Sequence, residues 1–242
     1  MRQPMPKPSL VFVPGTLCDE RMFEPQARAL RRHAQCHFVN YQRMDWRGDW
    51  VGALLKALPQ RFSVAGFSLG GLVALALLRH APERIERVAL IASNAEAASH
   101  TARKRSTHLH RLWLARGPEA VLRQTKPAYF HYPARRQQHA ALLFDMAQRT
   151  PRRTAMAEFA WAAARPDGYG ALAAFTGPVL IASGAQDRLC PPLLQQRMLA
   201  AQPNAHWREF KRCGHFVPLE VPGQLTNALR IWLNETTCTA PY

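Results

Sequence analysis

The sequence contains no long apolar run, and this excludes a membrane-spanning helix. A helical span needs roughly 20 consecutive apolar residues, whereas the run LVALALL at 72–78 is far shorter. Near the start, the apolar run LVFVP follows three prolines and is too short for the core of a signal peptide. We therefore expect a soluble cytoplasmic protein with no membrane span.

Cysteine is scarce, and nothing in its spacing suggests pairing. The five cysteines are odd in number, lie far apart and include no CxxC pair. This argues against a disulfide framework and against a zinc site. His108 and His110 are two positions apart, so they would not share a helix face as a metal pair. We expect no bound metal and free thiols at Cys18, Cys36, Cys190, Cys213 and Cys238.

Acidic residues are also few. The chain has 16 Asp and Glu against 32 Lys and Arg, 27 of them arginine, which gives a net charge of +16. Such a field could attract nucleic acid, acidic lipid or an acidic protein, although a surface of solvated arginines is the simpler interpretation. No helix-turn-helix, RNP-like strand or zinc-finger spacing accompanies the charge. We therefore do not expect nucleic acid as a partner.

Short apolar runs alternate with helical patterns along most of the chain, which is typical of a mostly parallel sheet covered on both faces by helices. We predict about six strands, at 10–13, 37–41, 62–65, 88–92, 179–182 and 207–210. Helical periodicity is found between them, at 23–32, 50–57, 69–80, 192–201 and 225–233.

One region interrupts the alternation. Residues 97–170 contain no strand-like run and instead carry successive helical segments separated by Gly-Pro, Tyr-Pro and Thr-Pro. We therefore expect an α/β core at 1–96 and 171–242, with a helical cap inserted at 97–170. Within 99–165 there are 13 basic and three acidic residues, so most of the basic excess belongs to this cap.

The stretch GFSLGG, residues 66–71, fits the G-x-S-x-G pattern, in which a serine occupies a tight turn between a strand and a helix. An apolar strand precedes it and an alanine- and leucine-rich helix follows. A serine hydroxyl needs a nearby imidazole to accept its proton and a carboxylate to orient that imidazole. Ser68 is the candidate nucleophile; the alternative is a glycine-rich turn in which Ser68 only caps the helix.

The partners of such a serine are expected after later strands, in the order acid and then histidine. Asp187 follows the predicted strand at 179–182, and His215 follows the one at 207–210. The carboxyl ends of parallel strands meet at one edge of a sheet, so both should reach Ser68. Each also has a simpler interpretation, Asp187 as a capping aspartate and His215 as a structural histidine.

An acyl-transfer site also needs hydrogen-bond donors for the negative oxygen that develops during attack. We assign one to the backbone N–H of Leu69, directly after the nucleophile. The other is the N–H of Thr16, in the turn after the strand at 10–13, where Pro14-Gly15 could alternatively do no more than turn the chain.

These ordered motifs resemble those of the α/β-hydrolase superfamily: VPGTLCD, GFSLGGLVA, APERIERVALIAS, SGAQDRLCPP and CGHFVPLEVP. The short chain and helical cap look like the small cap-bearing serine esterases related to pimeloyl-[acyl-carrier-protein] methyl ester esterase, and like a lyase of menaquinone synthesis. The resemblance implies an α/β-hydrolase fold, no cofactor, a triad of Ser68, Asp187 and His215, and oxyanion donors at Thr16 and Leu69. Pro14 stands where the family usually has histidine.

Three functions follow from these patterns. The leading prediction is a serine hydrolase that cleaves a small acyl ester or thioester through an acyl-enzyme on Ser68. The second is a lyase or C–C hydrolase that uses the same residues on an anionic substrate bound by cap arginines. The third is a binding protein that docks an acidic carrier protein through the basic cap. Cap aromatics could line an acyl pocket or simply pack, namely Trp113, Tyr129, Phe130, Phe144, Phe159 and Trp161.

Overall fold

The computed structural model describes residues 7–125 and 128–235. Within them, six strands form one sheet in the order β2-β1-β3-β4-β5-β6, and every neighbouring pair is parallel. This confirms the predicted α/β class. The strands are β1 Ser9–Val13, β2 Gln35–Phe38, β3 Phe62–Phe67, β4 Ile85–Ile91, β5 Val179–Gly184 and β6 His206–Phe210.

Helices connect the strands and cover the sheet. Short 3-10 turns lie at Glu20–Phe23, Tyr41–Arg43 and Pro82–Arg84. The α-helices are α1 Glu24–Leu30, α2 Trp50–Ala57, α3 Leu69–His80, α4 His100–Thr125, α5 Pro133–Arg149, α6 Arg152–Ala164, α7 Tyr169–Ala174, α8 Pro192–Ala201, α9 Val217–Glu220 and α10 Pro222–Leu233.

The core has two halves because side chains of a strand alternate between the faces of the sheet. In β1, Leu10 and Phe12 join the cluster that packs on α1 and α10. Val11 and Val13 join the opposite cluster, which packs on α2, α3 and α8. Both faces of the central strands are therefore largely buried, which explains why most of their residues are apolar.

Helices α4, α5 and α6 follow one another between β4 and β5, and we call them the helical insertion. Gly117 interrupts α4 with a φ of 72°, so the Gly117-Pro118 break predicted from the sequence is present. A third apolar cluster, which includes Trp113 and Phe159, ties the insertion to Leu17 of the core. The boundary at residue 170 stays a prediction; it falls inside α7, which the sequence did not reveal.

The second strand differs from its prediction. It was expected at 37–41, but β2 ends at Phe38 and Tyr41 begins a 3-10 turn. The Asn40 side chain accepts a hydrogen bond from the N–H of Gln42, which stabilises the turn at the expense of a longer strand. Helix α10 also begins earlier than predicted, at Pro222, since proline is favoured in the first turn of a helix.

The described residues contain no helix that combines the length and apolar character needed to cross a bilayer. The four cysteines in this part of the chain, Cys18, Cys36, Cys190 and Cys213, are free thiols, as predicted. Cys238 lies outside the described residues.

The turn from β3 into α3 is packed backbone against backbone. A Cβ atom at Gly70 would overlap the carbonyl groups of Val13 and Pro14, and one at Gly66 would overlap the backbone of Gly70. Only glycine lets these three segments approach so closely.

We expect Gly70→Ala to lower the free energy of unfolding by about 2 kcal/mol or more, because no flexible side chain can move to make room. Chemical denaturation would measure it. The matched control is Gly170→Ala in α7, where a Cβ meets nothing within 4 Å. That variant should be unchanged or more stable by up to about 1 kcal/mol. Equal stabilities for the two variants would contradict the proposed packing.

Candidate active site

Ser68 occupies the turn between β3 and α3 with its backbone in an uncommon conformation. Its φ is 52° and its ψ is −113°, a strained combination for a residue with a side chain. Two contacts hold the turn: the Ser68 N–H donates to the Ile91 carbonyl at 2.9 Å, and Ser93 Oγ donates to the Ser68 carbonyl at 2.8 Å. Strain held in this way presents the hydroxyl at the carboxyl edge of the sheet.

The structure brings the three predicted side chains together. His215 Nε2 lies 3.0 Å from Ser68 Oγ, and His215 Nδ1 lies 2.8 Å from Asp187 Oδ2. Asp187 and His215 are each 3% exposed, so bulk water scarcely competes for these hydrogen bonds. An imidazole placed between a hydroxyl and a carboxylate can accept the hydroxyl proton while the carboxylate stabilises the resulting charge.

Asp187 is held by its own loop. Its Oδ1 accepts the backbone N–H groups of Leu189 and Cys190 at 2.8 and 2.9 Å, which leaves Oδ2 for the imidazole. Burial by itself would raise the pKa of Asp187, but the His215 charge and these hydrogen bonds outweigh it and lower the pKa. Asp187 is therefore ionised at neutral pH.

The His215 loop is fixed by a residue that the sequence patterns did not single out. Glu220, buried in α9, accepts the backbone N–H groups of Gly214 and His131. The N–H of His215 donates to the Tyr129 carbonyl at 2.8 Å. These bonds fix the backbone that carries the imidazole, and the bond from the ring to Asp187 orients the ring itself.

Both residues assigned to the oxyanion lie beside Ser68. Leu69 opens α3, and Thr16 sits in the turn after β1; both line the cavity above the serine. Their roles as donors stay predictions. The turn around Thr16 is held from two sides, because the Tyr41 hydroxyl donates to the Pro14 carbonyl at 2.8 Å and the Leu17 N–H donates to Glu158 Oε2 at 2.7 Å.

Glu158 is an unusual carboxyl group. It comes from α6 of the helical insertion, is 1% exposed and has no ion-pair partner within the described residues. Burial raises its pKa to about 8, although the hydrogen bond from Leu17 lowers it in part. Glu158 is therefore mostly uncharged at neutral pH. Neither its burial nor its contact with Leu17 could be inferred from the sequence.

A cavity of about 130 Å³ opens above Ser68. Its apolar wall includes four aromatic rings, those of Phe67, Tyr129, Phe159 and Phe216. Of the insertion aromatics considered from the sequence, only Tyr129 and Phe159 line it, whereas the others pack in apolar clusters. The polar wall carries Arg105 and Arg165, and no Asp or Glu of the described residues lines the cavity.

Asp187, Cys190 and His215 bring potential metal-ligand atoms within 4.8 Å of one another. Their chemistry does not favour a metal. The Asp187 and His215 atoms already bond each other, and burial raises the pKa of Cys190 to about 12, so its thiol stays protonated. A thiol binds metal as the thiolate.

Comparisons with known proteins identify the family of the chain. A sequence model of the α/β hydrolase family matches residues 10–229. The chain is 32% identical over 180 residues to a pimeloyl-[acyl-carrier protein] methyl ester esterase of Aromatoleum aromaticum, which covers 69% of this chain and 71% of that protein.

Solved structures share the fold. A thermophilic esterase from Thermogutta terrifontis superposes with a TM-score of 0.81 at 21% identity, covering 94% of this chain and 90% of the other. The enol-lactonase of Burkholderia xenovorans LB400 gives a TM-score of 0.80 at 21% identity, covering 95% and 92%. With the family match across residues 10–229, these findings show that the chain belongs to the α/β hydrolase family and is an enzyme of the hydrolase class.

Proposed function

We propose that the protein is a serine esterase that cleaves a carboxylic ester or thioester through an acyl-enzyme on Ser68. The observation that carries this proposal is the unbroken hydrogen-bonded series from Ser68 Oγ through His215 to Asp187. A helix-capping serine would need no buried imidazole and carboxylate behind it.

In the first half-reaction, Ser68 Oγ attacks the acyl carbon while His215 Nε2 accepts the hydroxyl proton. Asp187 stabilises the imidazolium through Nδ1. The carbonyl oxygen becomes negative and is stabilised by the N–H groups of Thr16 and Leu69. His215 then gives the proton to the leaving alcohol or thiol as its bond to the acyl carbon breaks.

In the second half-reaction, water replaces the leaving group. His215 removes a proton from that water, and the resulting hydroxide attacks the acyl carbon of the ester on Ser68. Return of the proton to Ser68 Oγ releases the carboxylic acid and restores the enzyme. The small aromatic cavity suits a short or medium acyl chain better than a bulky one.

Substitution of the nucleophile tests the proposal. We expect Ser68→Ala to lower kcat for p-nitrophenyl butyrate by about 10⁴-fold or more, because the acyl-enzyme cannot form. A fluorophosphonate should label the wild-type protein at Ser68 and leave the variant unlabelled, as mass spectrometry would show. The control is Ser99→Ala, an exposed serine before α4, which should keep both properties. Unchanged ester cleavage in Ser68→Ala would refute the mechanism.

A second candidate, a lyase or C–C hydrolase acting on an anionic substrate, is favoured by one observation. Arg105 and Arg165 line the cavity, and within the described part of the chain no carboxylate lines it beside them. Arg165 is already engaged with the carbonyls of Glu96 and Ala162, whereas Arg105 is exposed, with no hydrogen-bond partner among the described residues. A carboxylate on the substrate would pair well with such a guanidinium.

We expect Arg105→Gln to lower kcat/KM by about tenfold for a substrate that bears a free carboxylate, and to leave neutral esters unchanged. Monomethyl dicarboxylates and carboxylate-rich dienes would be compared with methyl butyrate. The charge-matched control is Arg111→Gln, exposed on the same helix and outside the cavity lining. A wild-type enzyme that acts on the dienes and ignores every ester would favour the lyase over the esterase.

The basic insertion supports a further part of the proposal, that the acyl group arrives on an acidic carrier protein. Residues 99–165 carry most of the net charge of +16. Several cations of the insertion are exposed, including Arg103, Arg135, Arg152 and Arg153. The curated relative of Aromatoleum aromaticum is named for an acyl-carrier-protein ester. An acidic partner would be steered towards this surface by its charge.

Titration with an acyl carrier protein should show binding that weakens as salt rises from 25 to about 300 mM, since the Debye length shortens. Substitution of both Arg152 and Arg153 by glutamate reverses two adjacent charges and should weaken binding of the carrier protein by about tenfold or more. The matched control reverses the exposed pair Arg31 and Arg32 of the core. Equal losses in the two variants, or preferential binding to DNA, would count against carrier docking at the insertion.

A further inference from the structure

The turn that carries Thr16 is held by a carboxyl group of the helical insertion. Leu17 has a φ of 58°, in the left-handed region that disfavours a branched side chain. Its N–H donates at 2.7 Å to Oε2 of Glu158, which is 141 residues away in α6. A strained peptide next to the proposed oxyanion donor is therefore held by a single buried acceptor from the helical insertion.

Among the described residues, no cation forms an ion pair with Glu158. A small cavity beside it is lined by polar groups that include Cys18, Asp19, Glu20 and Tyr41. Burial raises the pKa of both the Cys18 thiol and the Tyr41 hydroxyl, so neither is charged near pH 8. Asp19 pairs with Arg21, which also pairs with Asp145 of α5. On the side of α4, His110 stacks on the neighbouring ring of Phe159.

We infer that Glu158 is a positioning residue for the oxyanion site, and that it serves in its protonated form. This rests on the proposed function. A neutral carboxyl fixes the Leu17 peptide, and with it the preceding Thr16 N–H, without adding charge. An ionised carboxylate keeps the hydrogen bond but places a buried negative charge one residue from the point where the reaction creates another.

The charge of Glu158 determines how catalytic activity should change with pH. The pKa of Glu158 is about 8 when the protein is folded, so the favourable neutral form is present below this value and is lost as the pH rises through it. Activity should therefore fall at alkaline pH, as Glu158 loses its proton. Glutamine is neutral at every pH, and its amide oxygen can accept the same N–H.

The decisive measurement is the pH profile of kcat and of fluorophosphonate labelling of Ser68. Between pH 7.5 and 9.5 the wild-type rates should fall by roughly 25-fold, because the protonated fraction of Glu158 falls by that factor when its pKa is about 8. Glu158→Gln should keep wild-type kcat at pH 7 and lose the alkaline fall. The control Glu119→Gln removes an exposed carboxylate of α4 and should keep the wild-type profile. An alkaline fall that is identical in wild type and Glu158→Gln overturns the inference.

Two further variants distinguish the positioning role of Glu158 from the effect of its charge. Glu158→Leu removes the acceptor for Leu17, so kcat should fall by about 10–100-fold with KM changed less than about threefold. Tyr41→Phe removes the hydrogen bond to the Pro14 carbonyl; it should lower kcat yet keep the alkaline fall, since Glu158 is intact. Wild-type kcat in Glu158→Leu would overturn the positioning role. If Glu158→Leu fails to fold, Glu158→Gln alone still decides through the pH profile.

Stability gives an independent readout of the same ionisation. The unfolded chain releases the Glu158 proton near pH 4.5, whereas the folded protein holds it to about pH 8. As the pH rises between these values, the free energy of unfolding of the wild type should fall relative to that of Glu158→Gln. Above pH 8 the difference between the two proteins should stay constant. A constant difference from pH 4.5 to 9 contradicts a retained proton. A wild-type protein that neither cleaves esters nor reacts with fluorophosphonate, yet shows this stability difference, refutes the proposed function instead.

Discussion

The strained backbone at Ser68 is the constraint on which the rest of the site depends. A serine with φ of 52° between β3 and α3 is tolerated only because the surrounding backbone permits no other arrangement. Gly70 touches the carbonyls of Val13 and Pro14, so the turn that bears Ser68 and the turn that bears Thr16 are in direct contact. The same packing therefore sets the direction of the hydroxyl and the place of its proposed oxyanion donors.

Around this turn, the site is assembled from loops that are each fixed by buried carboxyl groups. Asp187 accepts two N–H groups of its own loop, and Glu220 accepts backbone N–H groups at Gly214 and His131. Glu158 likewise accepts the backbone N–H of Leu17. Loop backbones carry donors that cannot be left unpaired when buried, and a carboxyl group satisfies one or two of them at once. The hydrogen bonds that make burial of these loops possible therefore also position the side chains of the proposed triad.

Much of the sheet and the proposed triad could be predicted, because both depend on short-range patterns. Apolar runs mark the buried strands, and strand order places residues such as Asp187 and His215 at one edge. Glu158 and Tyr41 could not be found in this way. Glu158 sits in an ordinary helical pattern, and its partner Leu17 is 141 residues distant. Tyr41 was assigned to a strand, since no local pattern shows that Asn40 stabilises a turn there.

The placement of Glu158 also bears on the helical insertion. Phe159, the next residue of α6, lines the cavity, so the helix that shapes the proposed acyl pocket also holds the Leu17 turn. A chain with 27 arginines pairs none with Glu158 within its described residues. A guanidinium there would keep the carboxylate ionised and would leave two buried charges beside the oxyanion site, at a large cost in desolvation. A carboxyl group without a cationic partner avoids the buried charges and their desolvation cost, because it can stay neutral by retaining its proton.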